Sequence, residues 1–251
     1  MSSIPTALWL SVSPALHRFN RPLISKISQQ HGLALWEYEQ TPDEPITLDV
    51  ALVLLHDYCK QLDHPVHLIG HGLSGWLGMI YAQRYPERVN SLTLLSVGAN
   101  LGIDWQSHYY AMLKSLPCDR HTILTQIVYS LFGRQCPFKT ELLIYILEQD
   151  LLSSPSPNTL IKQLSVTPEV ISVPLFVLGS RDDMVVSSYQ LNARKPWLKS
   201  GDVLWECQQG RHFFHYMKPQ EVSEKVALFW ESVSVESKRD NSSLLSRCQK
   251  F

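Results

Sequence analysis

The sequence predicts an α/β fold: a mostly parallel sheet with helices on both faces and a helical cap inserted between two of its strands. Three observations predict it. Short apolar runs alternate with helix-length amphipathic stretches along most of the chain. A block of purely helical pattern interrupts that alternation before residue 170. Glycine, scarce elsewhere, crowds into one junction: the chain has 11 glycines, and Gly70, Gly72, Gly75 and Gly78 fall within nine residues. Average usage of ~7% would give about 18. A glycine-poor chain that concentrates glycine in one place needs unusual backbone geometry there.

The elements follow in order. Apolar runs at residues 6–12, 33–38, 66–69, 91–97, 175–178 and 203–207 read as strands. Residues 21–30, 46–62, 77–85 and 220–233 read as helices, with Pro22 near a first turn and Pro86 just past a helix end. Right-handed crossovers would distribute these helices over both faces of the sheet. Residues 104–116, 122–132, 140–152 and 158–164 form the helical block, punctuated by Pro117, Pro137, Pro155 and Pro157. The expected organisation is a core of residues 1–100 and 171–233, a cap of residues 101–170 lining an apolar pocket, and a disordered Ser-rich tail over residues 234–251.

Composition narrows the function. Apolar residues make up 45% of the 251, charged residues 18%, and the net charge is −1. This suits a globular chain with a sizeable core. It argues against a nucleic-acid or polybasic membrane partner. No apolar run approaches the roughly 20 residues of an integral membrane span. Five scattered cysteines without a CxxC pair indicate neither a disulfide framework nor a zinc site. The first ten residues lack a basic leader segment and read as a buried strand, so a reducing, cytoplasmic location is expected.

The segment GHGLSGW, residues 70–76, follows a strand and opens a helix. That is the setting of a nucleophile elbow, G-x-S-x-G, where strain and close chain approach demand flanking glycines. With the later motifs PERV at residues 86–89, PLFVLGSRDDMVV at 174–186 and GRHFFH at 210–215, the chain resembles the α/β-hydrolase superfamily from about residue 6 to 230. The resemblance implies the α/β-hydrolase fold and the chain order nucleophile, acid, histidine. It implies Asp182 as the acid, with Asp183 as runner-up, and His212 as the base. His71 and His215 are read as packing or hydrogen-bonding residues. His212 and His215 share a ligand-like spacing, but no further ligands cluster nearby, so no metal and no cofactor are expected.

The sequence departs from the family at the centre of the elbow. The family pattern G-H-S-x-G-G aligns Gly72 with the nucleophile position and Ser74 with a glycine. The nucleophile of the family lies about fourteen residues before the proline of the PERV stretch, which again gives position 72. Gly72 cannot form an acyl-enzyme. The oxyanion donors implied are the backbone N–H groups of Leu73 and, across the site, Val12 or Ser13, although Pro14 offers none. Three readings follow. The chain lacks ordinary serine-hydrolase activity and binds a small apolar ligand or a protein partner in a capped pocket. Alternatively, it hydrolyses small ester or acyl substrates with a His212–Asp182 dyad, using water or a displaced Ser74 as nucleophile. A third option is a lyase or proton-transfer catalyst needing only a His/Asp base.

Overall fold

Residues 4–41, 47–100, 102–155 and 170–248 are described by the structure, a computed structural model, with side chains described through residue 235. Six strands form one sheet: β1 (Ala7–Ser11), β2 (Leu33–Glu37), β3 (Val66–His71), β4 (Val89–Leu95), β5 (Leu175–Ser180) and β6 (Val203–Cys207). Their order is β2-β1-β3-β4-β5-β6, and every neighbouring pair is parallel. The central strands β1, β3 and β5 are buried at every position. A parallel sheet covered on both faces requires such continuous apolar runs.

Alternation along each strand sends side chains to opposite faces. Ala7, Trp9, Ile69 and Phe176 meet α1 (His17–Ile27) and the last helix on one side. Leu8, Leu10, Leu68 and Leu92 meet α2 (Asp49–Lys60) and α3 (Leu73–Arg84) on the other. Helix α1 begins at His17, so Pro22 lies inside it and not near its first turn. Helix α3 begins four residues before the predicted start, directly at the elbow.

Between β4 and β5 the chain forms α4 (Trp105–Ser115), α5 (Arg120–Phe132) and α6 (Pro137–Ser153). Helix α6 packs on the short 3-10 turn Pro14–Leu16 that follows β1. The fourth predicted helix of this block, at residues 158–164, lies outside the described residues. After β5 come the short helices α7 (Ser188–Asn192) and α8 (Phe214–Met217), then α9 (Pro219–Cys248). Residues 234–248, expected as a disordered or loosely docked tail, continue α9 in the structure. The apolar face of α9 against the sheet, with Val222, Val226, Phe229, Trp230 and Val233, anchors a helix that the polar composition beyond it concealed.

The strand order reverses direction between β1 and β3. In an open parallel sheet the crevice at such a switch point, at the carboxyl ends of the strands, is where sites form. Ser11 and His71 end those two strands.

Candidate active site

The turn from β3 into α3 explains the glycines. Gly72 has φ 52 and ψ −125, a conformation that a side chain strains. A Cβ on Gly70 would lie 2.7 Å from the backbone of Ser74 and Gly75, and one on Gly75 would lie 2.9 Å from the Gly70 carbonyl oxygen. Strand and helix therefore touch backbone to backbone. The Gly72 N–H donates to the Leu95 carbonyl at 3.0 Å, which fixes the elbow on β4. The turn has the tight strand-to-helix geometry expected at residues 70–76, and Gly72, its residue of positive φ, carries no side chain.

Ser74 lines the cavity beside Gly72 but makes no hydrogen bond to His212 Nε2. It is buried, and its Oγ accepts the Val12 N–H at 3.0 Å. The hydroxyl is thereby turned toward the loop after β1, and His212 Nε2 has no hydrogen-bond partner among the described residues. The same bond occupies Val12, one of the two residues expected to supply the second oxyanion donor. Leu73 differs: as the first residue of α3 its N–H has no acceptor within the helix, and it lines the cavity at the elbow.

His212 sits in a loop bent by Gly210 (φ 146) and Arg211 (φ 54). The Arg211 guanidinium donates to the Tyr129 carbonyl at 3.1 Å, tying this loop to α5. The His212 carbonyl accepts from Ser96 Oγ at 2.9 Å and from His71 Nε2 at 3.1 Å. The His212 imidazole is 1% exposed, and its Nδ1 lies 3.1 Å from Asp183 Oδ2. Asp183 is held in turn by the N–H groups of Val185 (2.8 Å) and Val186 (3.0 Å), which donate to its Oδ1.

This corrects the expected partner. Asp182 Oδ1 faces away and accepts from Ser180 Oγ (2.6 Å), Gly210 N–H (2.9 Å) and Arg211 N–H (2.8 Å). Adjacent residues in the turn after β5 point to different sides, so Asp182 braces the histidine loop while Asp183 orients the ring.

Two carboxylates that the sequence motifs did not mark complete the site. Asp104 precedes α4, caps it by accepting the Gln106 N–H on Oδ1 at 2.9 Å, and is buried. A Cβ on Gly72 would lie 3.6 Å from Asp104 Oδ2. Asp150, on α6, is fully buried; it accepts from Gln106 Nε2 at 3.1 Å and from Ser154 Oγ at 2.5 Å. An aspartate before a helical run signals an N-cap, and an aspartate in the mostly apolar stretch of residues 142–152 signals a buried carboxylate. Neither signal reveals what lies opposite.

Electrostatics separate the histidines. Burial pulls His212 down, but the Asp183 and Asp104 carboxylates outweigh it and hold the imidazole above its ordinary value. Burial and the neighbouring His215 and His212 push His71 well below its ordinary value. Burial, with His212, lowers His215 to about 3, and its Nε2 donates to Asn20 Oδ1 at 2.9 Å. Burial raises Asp104 despite the Gln106 N–H and His212, and raises Asp150 to about 6.

These groups surround a cavity with about 20 Å³ open to the centre of a water molecule, enough for one water. Gly72, Asp104, Asp150 and His212 line it, with Ser11, Ser13 and Asn20. The helical insertion contributes carboxylates here as well as Trp105 and Pro155, so the lining is more polar than the apolar pocket expected. Among the described residues, no helix is long and apolar enough to cross a membrane.

No protein-family model matches the chain. Its sequence is 40% identical over 239 residues to the uncharacterized protein sll0249 of Synechocystis sp., covering 95% of each chain. It is 38% identical over 231 residues to the uncharacterized protein alr2406 of Nostoc sp., covering 92% of each. Among solved structures it is similar to a thermophilic esterase (TM-score 0.71, 14% identity, 91% of this chain and 90% of that one). It is also similar to the epoxide hydrolase VrEH1 of Vigna radiata (TM-score 0.62, 16% identity, 91% of each). The serine hydrolase CarC of carbazole degradation matches with a TM-score of 0.58 and 18% identity over 90% of each chain. The six-stranded parallel sheet agrees with these likenesses: the chain has the fold of the α/β hydrolases, and it belongs to one family with the two cyanobacterial proteins.

Proposed function

We propose that this protein is a hydrolase of small ester or acyl substrates that works without an acyl-enzyme. One observation carries the reading: the buried, unpartnered Nε2 of His212 lines a cavity the size of a water, at the point where Gly72 lacks a side chain. In this reading water is the nucleophile. Its oxygen bonds to the carbonyl carbon while its proton passes to His212 Nε2, and His212 returns that proton to the departing alkoxide. Asp183 holds the ring in the tautomer that leaves Nε2 free and stabilises the cation that forms. Leu73 N–H is the oxyanion donor, and the helices α4–α6 act as the cap through which substrate enters. The unpaired thiols Cys59, Cys118, Cys136 and Cys207 suit a reducing, cytoplasmic setting.

With one oxyanion donor engaged elsewhere, turnover is slow, since a missing donor lowers kcat by about 10²–10³. The test is hydrolysis of p-nitrophenyl acetate and butyrate by purified protein. Slow turnover without a burst, resistant to a fluorophosphonate probe and lost in His212→Ala, is the expected result. Stoichiometric labelling of a serine, or turnover unchanged in His212→Ala, overturns it.

A second reading is a binding pocket without catalysis, for a small ligand or a protein partner. It is favoured by the Ser74–Val12 bond, which removes a donor that catalysis would use. Absence of His212-dependent turnover with either ester selects it.

A further inference from the structure

Asp104 is over-equipped for a helix cap. A cap needs one side-chain oxygen, and serine, threonine or asparagine supplies it without burying a charge. Asp119, which caps α5, shows the ordinary case: it is exposed, and its two oxygens are taken by the N–H and Oγ1 of Thr122. Asp104 is buried, uses only Oδ1 for Gln106 N–H, and directs Oδ2 to within 3.6 Å of the place where a side chain at residue 72 would begin. His212, buried and with Nε2 unpartnered, lines the same cavity.

We propose that Asp104 supplies, from the start of α4, the polar oxygen that Gly72 does not. Its Oδ2 accepts a hydrogen bond from the water, or from the donor group of a small substrate, that His212 Nε2 holds over the elbow. Asp183, His212, that bound molecule and Asp104 then form one chain across the base of the site. Asp104 is a positioning residue for the bound water and a determinant of ligand charge. The cavity lining holds two carboxylates, Asp104 and Asp150, and no lysine or arginine. Such a site favours neutral or cationic ligands that donate hydrogen bonds, and it disfavours carboxylates and phosphates. The ionisable groups around His212 are Asp183, Asp104, His108, His71 and His215. Of these only the two aspartates raise it. The proposal rests on the water-site reading of the Gly72 cavity, but its deciding measurements need no turnover.

The test uses the full-length protein and Asp104→Asn, which keeps an acceptor for Gln106 N–H and removes the charge. Asp104→Ser, another good cap, serves if the first variant does not fold. The His212 imidazole is titrated by NMR, and a high-resolution crystal structure locates the bound water. The His212 pKa falls in the variant, and one water lies within hydrogen-bond distance of both Asp104 Oδ2 and His212 Nε2 in the wild type. The preference for p-nitrophenyl acetate over the anionic p-nitrophenyl hemisuccinate falls on the order of tenfold when the charge is removed. An unchanged His212 pKa, or a water on His212 that does not reach Asp104, overturns the proposal. If wild type hydrolyses neither ester, the hydrolase reading fails, and the titration and the water position still decide the place of Asp104.

Discussion

The Ser74 hydroxyl accepts the backbone N–H of Val12 at 3.0 Å, joining the first turn of α3 to the loop after β1 across the mouth of the elbow. Both groups are buried. The bond gives Ser74 a structural contact and engages the N–H of Val12. Ser74→Ala leaves that buried N–H unpaired, which lowers stability by about 1–3 kcal/mol. Urea unfolding measures the loss. His212-dependent turnover is not reduced, because no proton passes through this hydroxyl; a loss comparable to that of His212→Ala would show Ser74 to be a nucleophile.

Restoring a serine at the apex does not by itself restore serine-hydrolase chemistry. Gly72→Ser places a side chain at φ 52, a strain of about 1–3 kcal/mol, and directs it toward Asp104 Oδ2. The Val12 donor is still engaged. The single variant is therefore expected to resist a fluorophosphonate probe. The double variant Gly72→Ser/Ser74→Gly frees the Val12 N–H, and its labelling rate exceeds that of the single variant by about 10²–10³, the usual effect of one oxyanion donor. Equal labelling of the two would show that the Ser74–Val12 bond is not the obstacle.

The two adjacent aspartates are distinguished by opposite phenotypes. Asp183→Asn replaces the carboxylate beside His212 Nδ1 with a neutral amide, lowers the His212 pKa, and reduces turnover by up to about 10⁴. Asp182→Asn keeps turnover and weakens the fold by about 1–2 kcal/mol at neutral pH. Burial opposes ionisation of Asp182, but hydrogen bonds from Ser180, Arg211 and Gly210 hold its carboxyl below the ordinary value. A depressed carboxylate stabilises the fold above its unfolded pKa of about 3.9, and that stability is lost as pH falls through the folded value. The gap between wild type and Asp182→Asn in urea midpoint thus narrows as pH falls below about 4. A gap that widens on acidification contradicts the assignment.

The glycines of the elbow differ in tolerance from those elsewhere. A Cβ on Gly70 would lie 2.7 Å from the Ser74 carbonyl carbon and oxygen and from the Gly75 nitrogen, all backbone atoms. Gly70→Ala therefore separates β3 from α3 and costs about 3 kcal/mol or more. Gly201, at φ 88, has nothing within 4 Å of such a Cβ, and Gly201→Ala costs only the backbone term of about 1–2 kcal/mol. Thermal or urea unfolding of the two variants ranks them; equal losses would show that the Gly70 contact relaxes freely.

The sequence by itself determined what depends on local pattern. Continuous apolar runs located the strands, and glycine spacing and short motifs located the elbow at Gly72 and the histidine loop, because burial on both faces and close backbone approach leave their mark in adjacent residues. Tertiary structure alone decided what lies opposite each of those residues. The choice of Asp183 over Asp182 depends on which way each side chain leaves a tight turn after β5. The role of Ser74 depends on a loop 62 residues away in the chain. The polar floor of the cavity depends on the start of α4, whose Asp104 meets Gly72 only because the helices between β4 and β5 pack back over the ends of the strands. Such pairings are set by the packing of distant elements, and spacing within either segment carries no trace of them.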